Sequence, residues 1–505
     1  MSVLEELPVV VVGAGPVGLA AAAHLHEREL PFLVLEAGDT AGAAVRRWGH
    51  VRLFSPWRYD VDPAARRLLD DAGWVAPAED ALPTGAELVA DHLQPLAELP
   101  QLKPRLRYGA RVTAISRLGL DRLRTPGRDR TPFLIRLADG EELLARAVID
   151  ASGTWGTPNV LGASGLPAHG ETDVAAYLEH ALPDVLGADR GRFAGRHTLV
   201  VGAGHSAANT LLSLAELAAA APGTEVTWAI RSTSPARAYG GGDADELPAR
   251  GALGSRLREH VDAGRIRLLT GCSVHALTPT SPGPTPTPTS AGSAPAPTSA
   301  GPTPTPTSTG SAPGGGRVAV SFRRSDGGTE SVTVDRIVAA TGFRPDHSIA
   351  AELRLDLDPI MGATRALAPL IDPNEHSCGT VPPHGVDELA HPEVGYYAVG
   401  MKSYGRAPTF LMATGYEQVR SVVAALAGDW AAARDVQLDL PETGVCTSDP
   451  ADSTGAGSCC GPTPTGPPVD SPATSMPPAP LPLVSLDTPT SGPSAGCCAT
   501  PPPRH

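Results

Sequence analysis

The chain runs to 505 residues, with 40 Lys and Arg against 54 Asp and Glu and a formal net charge of −14. At ~150 residues per domain there is room for two or three domains. The acidic balance provides no sequence-wide positive field to collect phosphates, which argues against a nucleic-acid partner.

At the N-terminus, Glu5 and Glu6 precede the aliphatic run Val9–Val12, with no basic residue ahead of it. That run is far short of the ~20 residues that cross a bilayer, so neither an integral membrane segment nor a secretory leader is expected, and the cytoplasm is the expected compartment. Instead it reads as a strand buried on both faces, passing into Gly13-Ala-Gly-Pro-Val-Gly18 and then a helical stretch to Glu29. In a dinucleotide fingerprint Gly13 permits the tight turn, Gly15 lets the backbone approach a pyrophosphate and Gly18 allows close helix packing. The next strand, Pro31–Leu35, ends in Glu36, an acid placed to accept hydrogen bonds from both ribose hydroxyls. A flavin adenine dinucleotide site at the start of a chain has this form, and Glu36 would repel a 2′-phosphate. Trp48, Phe54 and Trp57 follow and are candidates to wall a flavin, with core packing as the alternative.

A second strand, loop and helix begins at Arg196. His197–Val201 leads into Gly202-Ala-Gly-His-Ser-Ala207, in which Gly202, Gly204, Ser206 and Ala207 take the fingerprint positions, Ala207 standing for the third glycine. The strand after it, Thr224–Ile230, ends in Arg231, with Arg237 nearby. A guanidinium offers bidentate hydrogen bonds to a phosphate, so this site is expected to take NADPH. Two dinucleotide sites in one chain imply that one supplies hydride and the other, a flavin, accepts it.

From Thr278 to Gly316 every residue is Pro, Thr, Ser, Ala or Gly, and Gly283-Pro-Thr-Pro-Thr-Pro-Thr-Ser290 recurs at Gly301 to Ser308. Such a segment cannot bury apolar surface and is expected to be disordered. Its flanks, Arg265–Leu269 and Arg317–Phe322, read as strands of a β-meander that the insert interrupts. The stretch from about Thr447 to His505 is also expected to be a disordered tail, carrying the adjacent pairs Cys459-Cys460 and Cys497-Cys498 among seven cysteines. Thiolates are soft ligands, so these pairs, together with Cys378 and Cys446 near the end of the folded region, are candidates to hold a thiophilic substrate; ordinary thiols are the alternative. No histidine spacing suggests a metal ligand.

The expected fold class is α/β. It comprises two Rossmann-like dinucleotide-binding domains with parallel sheets and β-meanders, plus the disordered insert 278–316 and the tail 447–505. Gly13 to Gly18 with Glu36, Trp48, Gly202 to Ala207 with Arg231, and Ala340-Thr-Gly342 resemble the two-dinucleotide-binding-domain flavoproteins, particularly the flavin-containing monooxygenase-like branch. The stretches Gly162–Pro167, His205-Ser206 and Ser403–Pro408 resemble bacterial flavoproteins associated with arsenic resistance. The resemblance implies a split FAD-binding domain (1–189 and 331–446) with an NADPH-binding domain (190–330) inserted into it. It further implies that Asp150–Trp155 and Ala340–Gly342 are linkers near the two nucleotides.

Two features depart from the family. Leu166-Pro-Ala-His-Gly170 with Tyr177 matches the monooxygenase fingerprint only loosely, and Val399-Gly-Met401 lacks the Asp that follows Gly in the disulfide reductases. With no CxxC in the folded region, thioredoxin-reductase chemistry is disfavoured.

The leading expectation is an FAD- and NADPH-dependent monooxygenase that uses molecular oxygen on a small soft nucleophile, with a trivalent arsenical among the candidate substrates. A flavin reductase of a quinone or other acceptor, and a thiol-based arsenic or metal binding protein on a flavoprotein fold, stay open. So does a homodimer. No catalytic side chain is assigned.

Overall fold

Val9–Val12 form β1, and exposures of 0 to 6% mark a strand covered on both faces. The computed structural model describes residues 3–240, 248–280, 316–373, 381–408 and 410–438, all within one compact unit. β1 lies between β2 (Phe32–Leu35) and β7 (Ala147–Asp150) and runs parallel to both. With β3 (Leu106–Arg107) beside β2 and β16 (Tyr396–Ala398) beside β7, these strands make a five-stranded parallel sheet. Helices Pro16–Glu27 and Met412–Leu426 pack against each other in the same apolar core as β1.

The plan then repeats. β9 (His197–Val201) lies between β10 (Glu225–Ala229) and β15 (Arg336–Ala339), with β11 (Arg267–Leu269) and β8 (Leu178–Glu179) at the edges. Counted from the edge, both sheets have a late or early outer strand, a return strand, the glycine-loop strand, and two successive strands. In each half a three-stranded antiparallel meander precedes the return strand: β4 (Val112–Arg117), β5 (Phe133–Leu137) and β6 (Glu142–Ala145) in the first, and β12 (Cys272–Pro279), β13 (Val318–Arg324) and β14 (Thr329–Val334) in the second. The fold is therefore α/β with two Rossmann-like halves. The second sheet draws on residues beyond 190–330, because β15 must return beside β9 to complete the crossover and β8 pairs with β15.

The insert lies in the β12–β13 connection. Thr278 and Pro279 are part of β12, and Thr280 closes the pair by donating to Arg317 O at 2.8 Å, so the strand outlasts the point where low complexity begins. Arg267–Leu269, expected in the meander, instead pairs in parallel with β10. Residues 281–315 lie outside the described residues, as does the tail from 439.

The chain crosses between the sheets twice, and the two crossings are bonded together. Asn159 N donates to Gly342 O at 2.9 Å, Thr341 Oγ1 to Asn159 O at 2.8 Å and Arg344 N to Thr157 O at 3.0 Å. Trp155 stacks on Phe343 with ring centroids 5.2 Å apart. Among the described residues no helix is long and apolar enough to cross a membrane.

Candidate active site

In each sheet the strand order reverses beside the glycine-loop strand, between β1 and β7 and between β9 and β15. Crevices at the carboxyl ends of strands at such points are where α/β sheets bind nucleotides. At the first, Gly13 has φ +102°, and a Cβ there would sit 2.7 Å from Ala151 O, so only glycine fits the turn. A Cβ on Gly18 would lie 2.0 Å from Gly13 O, which fixes how closely the helix approaches the loop. A Cβ on Gly15, by contrast, would meet nothing within 4 Å. Gly15 is the N-cap of helix Pro16–Glu27 and provides no side chain to its free amides, so the cradle is open on the side where an anion would lie.

Glu36 closes this site. Its Oε2 accepts from Ala14 N and its Oε1 from Gly38 N, both at 2.7 Å. A carboxylate has ~4 acceptor positions, so a pair of ribose hydroxyls can still be served. These groups fit the adenosine diphosphate part of FAD. Trp48 is half-buried against the same core, over Gly85, where an added Cβ would lie 2.8 Å from its ring. Trp57 is a core residue at 5% exposure. The geometry yields a prediction: Gly15→Val should fold normally, since the new side chain meets open space, yet lose bound flavin. Absorbance of the purified variant checks this.

The second loop has the same design. Gly202 has φ +132°, and a Cβ there would lie 2.0 Å from Ala340 O; a Cβ on Gly204 would again meet nothing within 4 Å. Helix His205–Ala220 starts directly after Gly204, with Ser206 in its first turn and Ala207 fully buried at the helix-packing position. Arg231 is exposed beyond the end of β10, its Nη1 donating to Ala163 O at 3.3 Å. It stands at the strand end where the adenosine sugar of a bound dinucleotide lies. Cys378 and Cys446 lie outside the described residues.

Sequence reasoning missed a buried polar cluster behind the first loop. Asp150, the last residue of β7, has no exposed surface, and its Oδ2 accepts from Lys402 Nζ at 2.6 Å and from the Tyr396 hydroxyl at 2.9 Å. Its Oδ1 accepts from Ser152 Oγ at 2.6 Å, and Lys402 also donates to Ser152 Oγ at 3.1 Å. Burial alone would raise the Asp150 carboxyl, but the Lys402 ammonium and the three hydrogen bonds hold it below the usual carboxylate range. The cluster ties the ends of β7 and β16 together, and its exposed member, Ser152, borders Gly13. Nearby, Gly400 N donates to Gln418 Oε1 at 2.7 Å, anchoring the turn that carries Lys402 to helix Met412–Leu426.

A family model for an NAD(P)-binding Rossmann-like domain matches residues 11–73, which contain the first loop and Glu36. Over 214 residues the chain is 28% identical to the probable indole-3-pyruvate monooxygenase YUCCA9 of Arabidopsis thaliana, covering 41% of this chain and 44% of the relative. Over 274 residues it is 26% identical to a ferredoxin–NADP reductase of Gluconobacter oxydans, covering 53% and 62%. The chain thus spans less than two thirds of the length of these curated relatives. Among solved structures, the FAD-bound cadaverine monooxygenase of the desferrioxamine pathway of Erwinia amylovora is similar in fold. Its TM-score is 0.56 at 12% identity, covering 88% of this chain and 99% of that one.

Proposed function

We propose that the chain is an oxidoreductase that holds FAD at Gly13–Glu36 and NADPH at Gly202–Arg231, and works as a flavin monooxygenase on a small soft nucleophile. The observation that carries this reading is the doubled plan: two open glycine cradles at two sheet ends, with a carboxylate just past the end of the next strand in one and a guanidinium in the other. Bound FAD supplies an electron store between a hydride donor and oxygen. This chain's residues bind and orient: the loop amides face the pyrophosphates, Glu36 takes the flavin's ribose, and Arg231 the 2′-phosphate. In the net reaction NADPH gives two electrons, one oxygen atom goes to the substrate and the other leaves as water. The relative described as a monooxygenase supports this reading, and a lone-pair donor such as a trivalent arsenical is the substrate to try first.

The test is oxygen uptake by the purified flavoprotein. Uptake matched to NADPH consumption and raised by arsenite, with an oxygenated product, is the expected result. NADPH oxidation driven by a quinone with no oxygen consumed would replace it with the reductase reading, to which the similarity to a ferredoxin–NADP reductase lends support.

Arg231→Ala tests nucleotide choice. Among the described residues the Arg231 side chain makes one long hydrogen bond, to Ala163 O, so stability should hold. The KM for NADPH should rise ~10–100-fold, the value of a charged hydrogen-bond pair, and that for NADH should stay put. An equal change for both nucleotides would remove the 2′-phosphate from the argument.

A further inference from the structure

One side chain reaches from the core around the first loop to the mouth of the second. Leu53 N donates to Pro83 O at 2.8 Å and Trp57 N to Ala81 O at 3.0 Å, which fixes the backbone on both sides of Phe54. Ser55 is buried and donates through Oγ to Asp60 Oδ1 at 2.7 Å, while the Tyr416 hydroxyl donates to Asp60 O at 2.8 Å. Trp57 belongs to the core that contains β1. Phe54 itself is only half-buried. Its ring meets the ring of His205, centroids 5.2 Å apart and planes tilted by 48°. His205 is the first residue of the helix behind Gly204, beside the amides of the second cradle.

We propose that Phe54 is a positioning residue that sets how the nicotinamide end of the second nucleotide lies against the first site. This rests on the functional reading above. A benzene ring has no donor or acceptor and offers only a flat face, which suits a flat pyridine ring. The adenosine end of the dinucleotide belongs at β10 and Arg231. The part that extends from the second pyrophosphate toward the first loop is therefore the nicotinamide half, and Phe54 is the side chain that bridges that gap. Hydride transfer needs its reacting atoms ~3–3.5 Å apart, so a ring anchored in one half and abutting the other is placed to set that distance and keep water out.

The experiment compares wild type, Phe54→Leu and Phe54→Tyr as full-length flavoproteins. Leu keeps most of the volume but not the flat face, whereas Tyr keeps both. FAD content and melting temperature serve as controls for folding. The affinity for NADP⁺, measured by calorimetry on the resting protein, should fall about three- to tenfold in Phe54→Leu, the value of a ring stack, and recover in Phe54→Tyr. The rate constant of anaerobic flavin reduction at saturating NADPH should fall at least ~10-fold in the Leu variant, with the primary deuterium isotope effect rising as alignment is lost. Leu matching wild type in affinity and reduction rate overturns the proposal. So does a loss in Leu that Tyr does not restore. Failure of the wild type to take up FAD or to be reduced by NADPH would instead sink the functional reading, and is read from a different protein.

Discussion

Lys402→Met should destabilise the chain by about 3–5 kcal/mol, while the double variant Asp150→Asn with Lys402→Met should recover most of that loss. The Lys402 side chain is 1% exposed and its partner Asp150 has no exposed side-chain surface, with 2.6 Å between charges. Removing only the ammonium leaves a carboxylate stranded away from water, with Tyr396 and Ser152 as its remaining donors. Those neutral hydrogen bonds cannot replace the counter-charge. Removing both charges leaves an amide that Tyr396 and Ser152 can still bond, beside a thioether of similar length. Denaturant titrations of the two single variants and the double measure the coupling directly. A Lys402→Met protein within ~0.5 kcal/mol of wild type would mean that Asp150 is not ionised in the folded chain. Flavin content is the second readout, since Ser152, bonded to both charges, borders the turn at Gly13.

Local chemistry explains what could be read from the sequence and what could not. The first strand, loop, helix and acid follow one another within about thirty residues, and each element's residue types suit its conformation, so β1, helix Pro16–Glu27 and Glu36 appear where the pattern places them. The second loop and Arg231 are similarly local. β12 is obscured because Thr278 and Pro279 look like the start of the Pro/Thr insert, yet Ala319 and Val318 on the far side of the insert supply their partners. The Asp150–Lys402 pair spans 252 positions, and no local pattern announces it. A signal did exist: Asp150 ends a continuous apolar run, a position where an acid requires a partner, and the chain has only two lysines, Lys103 and Lys402. The repeated sheet plan is likewise invisible locally, because β3 and β8 are two-residue strands and the outer strand of each sheet comes from opposite ends of its half. Nothing local announces that Asp60 is buried; Tyr416, whose hydroxyl donates to Asp60 O, is 356 positions away.

That burial has a pH signature. Asp60 has no exposed surface, its Oδ1 accepts from Ser55, and Oδ2 has no hydrogen-bond partner among the described residues. Desolvation, only partly offset by the Ser55 hydrogen bond, pushes its carboxyl up from 3.8 to about 7. Below pH ~4 the folded and unfolded chains both hold this proton. Between pH ~4 and ~7 the unfolded chain releases it and the folded chain keeps it, so this group makes stability fall as pH rises; above ~7 the loss is complete. Asp60→Asn copies the neutral acid, with Oδ1 still available to Ser55, and cannot ionise. The variant should therefore match wild type near pH ~4 and exceed it by up to ~4 kcal/mol at pH ~8, three pKa steps at ~1.4 kcal/mol each. Titratable neighbours surround the site: Asp62, bonded to His24 at 3.0 Å; His92, pushed down to about 4 by burial; and Tyr416, pushed well up. They are common to both proteins, so the difference between the two stability curves isolates Asp60. Asp60→Ala serves as the control: it shares the pH dependence of the Asn variant but should lie below it at every pH, because the Ser55 acceptor is lost. A difference between Asn and wild type that stays flat from pH ~4 to ~8 would mean that folded Asp60 carries its charge.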